Sequence, residues 1–172
     1  MRKFNPDIHH RCSIRLKGYD YSTPGAYFIT ICAKERELLF GDVTKGIMNE
    51  NRIGELVKRI WFDVPMRFKM IEMDAYVVMP NHIHGIIVIH ETYNKRNNDT
   101  CDILTVTLGE IIRAYKSLTA TGVNKLLDRI GQPFWQRNYY ERIIRNEDEL
   151  NHTREYIINN PPDWESDEYY SQ

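Results

Sequence analysis

The order of strand-like and helix-like patterns is the feature that most limits the fold of this chain. Residues 25–32 are rich in aromatic and β-branched side chains and follow a turn-like Ser-Thr-Pro, which predicts a strand. From Asn51 onwards, apolar residues occur at the spacing of an amphipathic helix, at positions 53, 56, 57, 60, 61 and 64. Two β-prone segments, 70–79 and 82–89, flank Pro80-Asn81, and together they predict a hairpin.

The second half of the chain repeats the alternation. Thr107 and Glu110 have the spacing of a capping box in front of a helical apolar stripe. An extended segment is predicted over 139–144, and a last helix from Asn146 to Asn159, halted by Pro161-Pro162. A short hairpin is predicted from Leu38-Leu39-Phe40 and Ile47-Met48.

The resulting β-α-β-β-α-β order is that of a ferredoxin-like α+β sandwich, an antiparallel sheet with helices on one face. With 172 residues, the chain is expected to form a single domain followed by a C-terminal helix. Within it we distinguish four parts: a basic N-terminal arm (1–23), a flexible loop (91–106), the last helix (146–160) and an acidic tail (161–172).

Charge is distributed unevenly although the net charge is only −1. Residues 1–17 carry five basic side chains against one acid, and residues 146–172 carry eight acids against one arginine. A chain of this kind can present a basic arm to an anionic partner. No apolar run approaches the roughly 18 residues of a membrane span, and the three cysteines form no C-x-x-C pair. We therefore expect a cytoplasmic protein without membrane association.

Two histidines open the second strand of the central hairpin. Side chains alternate between the faces of a strand, so His82 and His84 point the same way while Ile83 points into the opposite layer. Neutral imidazoles placed in this way can ligate one cation. A third alternating histidine, a second H-x-T/S copy and an H-E-x-x-H motif are all absent, which excludes three other histidine-based enzyme classes.

One tyrosine differs from the other ten. Tyr156 lies in the polar stripe of the last helix, away from Leu150, Ile157 and Ile158. Asn160 is its i+4 neighbour, so a hydroxyl and an amide oxygen able to ligate a hard cation share one face.

Several of these segments together resemble one protein family. The matching residues are RLKGYDY (15–21), YFIT (27–30), YVVMPNHIH (76–84), the segment from Phe134 to Asn146, and YIINNP (156–161). The chain resembles the single-tyrosine HUH transposases, in particular the REP-associated tyrosine transposases of bacteria. That resemblance implies a ferredoxin-like fold, His82, His84 and Asn160 as metal ligands, and Tyr156 as the nucleophile.

The chemistry implied is cleavage and rejoining of single-stranded DNA. A metal acts as a Lewis acid on the scissile phosphate, and Tyr156 attacks to give a 5′-phosphotyrosine and a free 3′-OH. Mixed nitrogen and oxygen ligation suits Mg²⁺ or Mn²⁺, and no nucleotide cofactor is expected. A phenol has a pKa near 10, so His152, one turn before Tyr156, is a candidate proton helper.

DNA recognition is expected from basic and aromatic side chains, which suit backbone contacts and base stacking. The candidates are Arg11, Arg15, Lys17, Lys116, Arg137, Tyr139, Tyr140, Arg142 and Arg145. The resemblance implies hairpin-forming repeats as targets and favours a monomer over a homodimer. Two alternatives stay open: a non-catalytic single-strand-binding module, and a metal-dependent phosphodiesterase that uses activated water and leaves Tyr156 idle.

Overall fold

A four-stranded antiparallel sheet forms the centre of the molecule. The computed structural model describes residues 18–95, 101–104 and 106–170. The sheet contains β1 (Gly25–Cys32), β4 (Ile71–Val78), β5 (His82–Ile89) and β8 (Tyr140–Ile144), in the order β4-β5-β1-β8. This is the strand order of the ferredoxin-like sandwich, so the predicted fold is confirmed.

Two helices cover one face of this sheet. Helix α1 (Arg52–Asp63) begins after Asn51, whose side chain accepts hydrogen bonds from the amides of Ile53 and Gly54. Helix α2 (Leu108–Leu126) has the predicted Thr107–Glu110 capping box. The core between helices and sheet is aromatic at its centre: the rings of Trp61 and Tyr76 stack at 4.7 Å, and the Trp61 ring meets the Tyr115 ring edge-on at 5.4 Å.

Gly85 makes this packing possible at the strand that carries the histidines. A Cβ at position 85 would lie 2.5 Å from Trp61 Cζ2, so only glycine admits the indole against β5. The neighbouring side chains of β5 keep strict alternation, since Ile83 and Ile87 belong to the main core while Ile86 packs on the opposite face.

The third helix lies on that opposite face. Helix α3 (Glu147–Asn159) starts at Asn146, whose side chain accepts from the Glu149 amide, as predicted. It buries Ile157 in a second, smaller cluster with Phe28, Ile86 and Ile144. Ile158, which the sequence groups with Leu150 and Ile157 on the apolar side of the helix, is 69% exposed, because the buried face of α3 follows Thr153, Ile157 and Asn160 instead.

Two further predictions need correction. The first short hairpin is formed by β2 (Gly41–Thr44) and β3 (Ile47–Glu50), so its first strand begins after the predicted Leu38–Phe40. The segment 91–106, predicted to be a loop, contains the antiparallel strands β6 (Thr92–Lys95) and β7 (Cys101–Leu104). Backbone pairing does not depend on a hydrophobic stripe, so a polar composition did not reveal it.

No helix in the described part of the chain has both the length and the apolar character needed to cross a membrane. Of the basic arm, the candidate DNA contacts Arg11, Arg15 and Lys17 lie outside the described residues.

Candidate active site

His82 and His84 lie side by side on the face of β5 that α3 covers. They pair across the strand with Cys32 and Thr30 of β1, and their Nε2 atoms are 3.0 Å apart. The predicted shared face is therefore confirmed.

The other ring nitrogens are held by neutral oxygen atoms. The Nδ1 of His82 lies 2.8 Å from the amide oxygen of Asn81, which can only accept, so Nδ1 donates. The Nδ1 of His84 lies 2.8 Å from the hydroxyl of Thr30. The Thr30 hydroxyl can accept a hydrogen bond from this nitrogen as well as donate one. The tautomer with the proton on Nδ1 of both rings leaves both Nε2 atoms free to bind a cation, as in metal-ligating imidazoles.

Burial keeps both rings neutral. His82 is 0% exposed and His84 is 1% exposed. Loss of water lowers the pKa of His84 to about 3. For His82 the burial, with smaller contributions from His84 and Arg36, holds the pKa well below its usual range. Neutral imidazole is the form that binds cations.

Asp167 joins the histidines as a potential third ligand that no sequence pattern predicted. Its carboxylate and the two imidazoles offer donor atoms that all lie within 4.8 Å of one another. Asp167 belongs to the acidic tail, for which the sequence predicts only a charged segment. The only sequence signal was a carboxylate seven residues after Asn160, and the tail's three other acids at 163, 165 and 168 made it indistinct.

Asn160 lies against this cluster, and one of its polar atoms has no hydrogen-bond partner among the described residues. Its Nδ2 donates to Asp167 at 3.0 Å, and the side chain is 3% exposed. Its Oδ1 is buried and has no hydrogen-bond partner within the described residues. A buried amide oxygen without a partner is costly unless a cation or water satisfies it.

The donor set fits a divalent cation. Two ligands at right angles, each about 2.1 Å from an ion, are about 3.0 Å apart, and the observed Nε2–Nε2 distance is 3.0 Å. Imidazole, carboxylate and amide donors are together compatible with Mg²⁺, Mn²⁺ or Zn²⁺.

Tyr156 brings its hydroxyl to the edge of this cluster. The Oη lies 3.3 Å from His84 Nε2, and the ring meets Phe28 edge-on at 5.9 Å. The side chain is 44% exposed, so a substrate can approach the phenol. Partial burial, with the charges of Asp167 and Glu168, raises the pKa of Tyr156 to about 12.

An ion pair fixes the helix that carries Tyr156. The Arg154 guanidinium meets the Asp74 carboxylate with Nη2–Oδ2 at 2.5 Å and Nε–Oδ1 at 3.0 Å. Asp74 lies where the β4–β5 register shifts, between Met73 and Tyr76. The irregularity of β4 thus places a carboxylate under α3.

His152 is directed towards its own helix. The ring Nδ1 donates to the Asp148 carbonyl at 2.6 Å, and no hydrogen bond joins His152 to Tyr156 in the part of the chain described. Both side chains line one surface pocket, one turn apart. The role of proton helper stays a prediction.

The tail covers the histidines. The Tyr169 ring lies 4.6 Å from the His82 ring, and Trp164 lies 6.0 Å from it on a short 3₁₀ turn, Trp164–Ser166. The Tyr169 carbonyl accepts from Asn81 Nδ2 at 2.8 Å, and Arg36 donates to the Glu168 carbonyl at 3.2 Å. These contacts are why the imidazoles are sealed from solvent.

The candidate DNA contacts separate into two groups around the edge strand β8. Tyr140 and Arg142 pair with Thr30 and Phe28, so both lie on the histidine face. Tyr140 is 50% exposed, whereas Arg142 donates to Thr153 on α3 at 3.0 Å. Arg145 is exposed at the end of β8.

Lys116, Arg137 and Tyr139 lie on the other side, where they line a pocket against α2. Lys116 donates to the carbonyls of Gln136, Arg137 and Asn138 at 2.9, 3.4 and 2.9 Å. Its three N–H groups are therefore used within the protein, and burial lowers the pKa of Lys116 to about 8. Contact between Lys116 and DNA stays a prediction.

Comparison with known proteins agrees with this architecture. A Haemophilus influenzae protein, described only as uncharacterized, is 42% identical over 179 residues, covering 98% of this chain and 97% of the relative. No protein-family profile matches the chain. A solved structure of the REP-associated tyrosine transposase bound to a REP hairpin superimposes with a TM-score of 0.58 and 19% identity, covering 88% of this chain and 73% of the other. The chain therefore belongs to the same family as the Haemophilus influenzae protein and has the fold of the REP-associated tyrosine transposase.

Proposed function

We propose that the protein is a metal-dependent transposase that nicks and rejoins single-stranded DNA next to hairpin-forming repeats. The observation that carries the proposal is the tyrosine hydroxyl 3.3 Å from an imidazole of a His-His-Asp cluster whose two histidines are buried. A nucleophile directly beside a metal site is the arrangement that phosphoryl transfer to a side chain requires.

Tyr156 performs the covalent step. Its Oη attacks phosphorus, the Oη–P bond forms, and the bond from phosphorus to the 3′ oxygen breaks. The products are a 5′-phosphotyrosine and a 3′-OH. One phosphoester replaces another, so the 3′-OH of the same or another strand can reverse the step without a nucleotide cofactor.

The proton of the phenol must leave during the attack, because the pKa of Tyr156 is about 12. We assign its acceptance to His152, whose Nε2 is free of the Asp148 contact made through Nδ1. His82, His84 and Asn160, with Asp167, would hold Mg²⁺ or Mn²⁺, which supplies Lewis-acid polarisation of the scissile phosphate. A buried Oδ1 without a partner on Asn160 supports its place in this set.

Tyr156 acts on the histidine cluster of its own chain in this proposal. The 3.3 Å contact between Tyr156 and His84 is intramolecular, so no second subunit is needed to complete the site. This supports a monomer. A sedimentation mass near twice 20.5 kDa at micromolar protein would contradict it.

A denaturing gel tests the proposal. End-labelled single-stranded hairpin DNA is incubated with Mn²⁺ and protein, and a covalent protein–DNA band is expected. Tyr156→Phe should abolish the band, and the matched control Tyr170→Phe should retain it, since Tyr170 is a partly exposed tyrosine that makes no contact with His84. Cleavage without the band would favour a water-using phosphodiesterase, and binding without cleavage would favour a recognition module.

A further inference from the structure

A long groove runs beside α2, away from the histidine face. One wall is the α2 stripe that includes Gly109, Ser117 and Ala120, and the other is the 129–139 segment that leads into β8. Two adjoining cavities, of about 500 and 650 Å³, make up the groove and share Ser117, Ala120 and Gln132. Between Gly109 and Lys125 the helix rises about 24 Å.

The walls of this groove are basic. Arg113, Lys125, Arg129 and Arg137 line it against a single acid, Asp128, in a chain whose net charge is −1. Arg113, Lys125 and Arg137 are exposed, and no carboxylate of the described residues lies within salt-bridge distance of them. Cations left without carboxylate partners along a groove attract a polyanion.

One wall of the groove is linked to the strand next to the histidines. The 129–139 segment is joined to the end of β1 by a bridge between Ala33 and Trp135, and Gln136 donates to the Cys32 carbonyl at 2.9 Å. Cys32 is the strand partner of His82. The consecutive residues Tyr139 and Tyr140 lie on opposite sides of the edge strand, one in the groove and one beside Thr30.

We propose that this groove binds the single-stranded DNA that flanks the cleavage site, an inference that rests on the proposed function. A strand leaving the histidine face crosses the edge of β8 at the two tyrosines and continues along α2. Its phosphates contact Arg137, Arg113 and Lys125, and its bases face the small side chains of the groove floor. At the stacked spacing of about 3.4 Å per nucleotide that one strand has in duplex DNA, a 24 Å groove accommodates at most about seven nucleotides.

The binding of extended and short hairpins tests the proposal. Fluorescence anisotropy gives the Kd for a hairpin alone and for the same hairpin with about seven single-stranded nucleotides on either end, at several salt concentrations. The test variant is Arg113→Ala with Arg137→Ala. The matched control is Arg52→Ala with Arg59→Ala, two exposed arginines of α1 that line a different pocket.

We expect the extension on one end to tighten binding for wild type and control by at least about tenfold. The groove variant should lose most of this gain, and the slope of log K against log salt should fall by about 1.4, about 0.7 per phosphate contact. Equal affinity losses in the two double variants, or no gain from either extension, would overturn the proposal that the groove binds DNA.

The covalent band on the short hairpin is measured in parallel. If the band forms while the groove variant binds like the control, only the groove proposal fails. If no band forms while the extension effect persists, only the proposed function fails.

Discussion

Trp164→Ala should open the candidate active site. His82 and His84 are at most 1% exposed beneath the tail, so a DNA phosphate reaches them only when the tail moves aside. Trp164 is 7% exposed and packs near His82, and it carries no donor atom of the proposed metal cluster. Its removal should therefore weaken the closed state without removing Asp167 or Asn160.

The magnitude follows from the burial of the indole. Replacing a buried Trp by Ala costs about 3–5 kcal/mol in a protein core, and we take about 3 kcal/mol for a residue in a surface segment. At about 1.4 kcal/mol per factor of ten, the ratio of open to closed protein rises about 100-fold. Covalent-complex formation should accelerate by about tenfold or more in saturating Mn²⁺, with 100-fold as the ceiling.

Two assays check this, one of accessibility and one of rate. Diethylpyrocarbonate followed by mass spectrometry should leave His82 and His84 unmodified in the wild type and label them in Trp164→Ala. His90, whose side chain is 52% exposed, serves as the internal reference for labelling in both proteins. If the variant is folded and labelled at the histidines yet cleaves no faster than the wild type, tail movement does not limit the reaction and the reasoning fails.

Four further perturbations address the cluster and its helix. Asn160→Ala should slow covalent-complex formation more than it weakens Mn²⁺ binding, as measured by isothermal titration calorimetry. Asn160→Asp should have a smaller effect, because a carboxylate ligates hard cations, and a wild-type rate for Asn160→Ala would show that Asn160 is not a ligand. Asp167→Asn should weaken Mn²⁺ binding to the DNA-free protein by about tenfold or more, and unchanged affinity would exclude its carboxylate from the site. Arg154→Ala breaks the ion pair with Asp74 and should lower the free energy of unfolding in urea by on the order of 1 kcal/mol. Adding Asp74→Ala to this variant should lower it no further, because the pair is already broken. In metal-free protein the pKa of His84 is lowered from 6.5 to about 3, so the unfolded chain binds the proton first and the free energy of unfolding falls as the pH drops below 6.5. Between pH 6.5 and 4.5 the loss is about 2–3 kcal/mol, and a His84→Gln variant with an equally steep loss would contradict this prediction.

The sequence predicted most of the sheet and all three main helices because their signals are local. The alternation over 82–89 reproduces β5 residue for residue, and the Thr107–Glu110 capping box fixes the start of α2. The sequence did not predict β6 and β7, because they are defined by backbone pairing between two strands and lie in a segment whose composition is polar.

The site was predictable in part for the same reason. A strand period of two places His82 beside His84, and a helix period places Tyr156 beside Asn160. Asp167 was missed because its position depends on how the tail folds back over β5, which no periodic pattern encodes. The Arg154–Asp74 pair was missed as well, since 80 residues separate the partners.

The contacts of the tail bear on which residues would hold a metal ion in the proposed reaction. Asp167 completes the cluster only when the tail is closed, and the same closed tail places Tyr169 over His82. In the proposed reaction, a scissile phosphate would bring its own anionic oxygens to the histidines, and it would need the space that the tail fills. In the proposed mechanism the carboxylate of Asp167 and the phosphate would therefore be alternatives at one position. Asn160 lies at the end of α3, ahead of the tail, and would stay in place when the tail moves. In the proposed reaction, the approach of DNA would replace the Asp167 carboxylate with a phosphate, so the negative charge beside the histidines would be kept while the tail moves aside. Burial is the main reason that the pKa of Tyr156 is raised, and the smaller contributions of Asp167 and Glu168 belong to the same tail. Movement of the tail would therefore remove these two charges from beside the phenol.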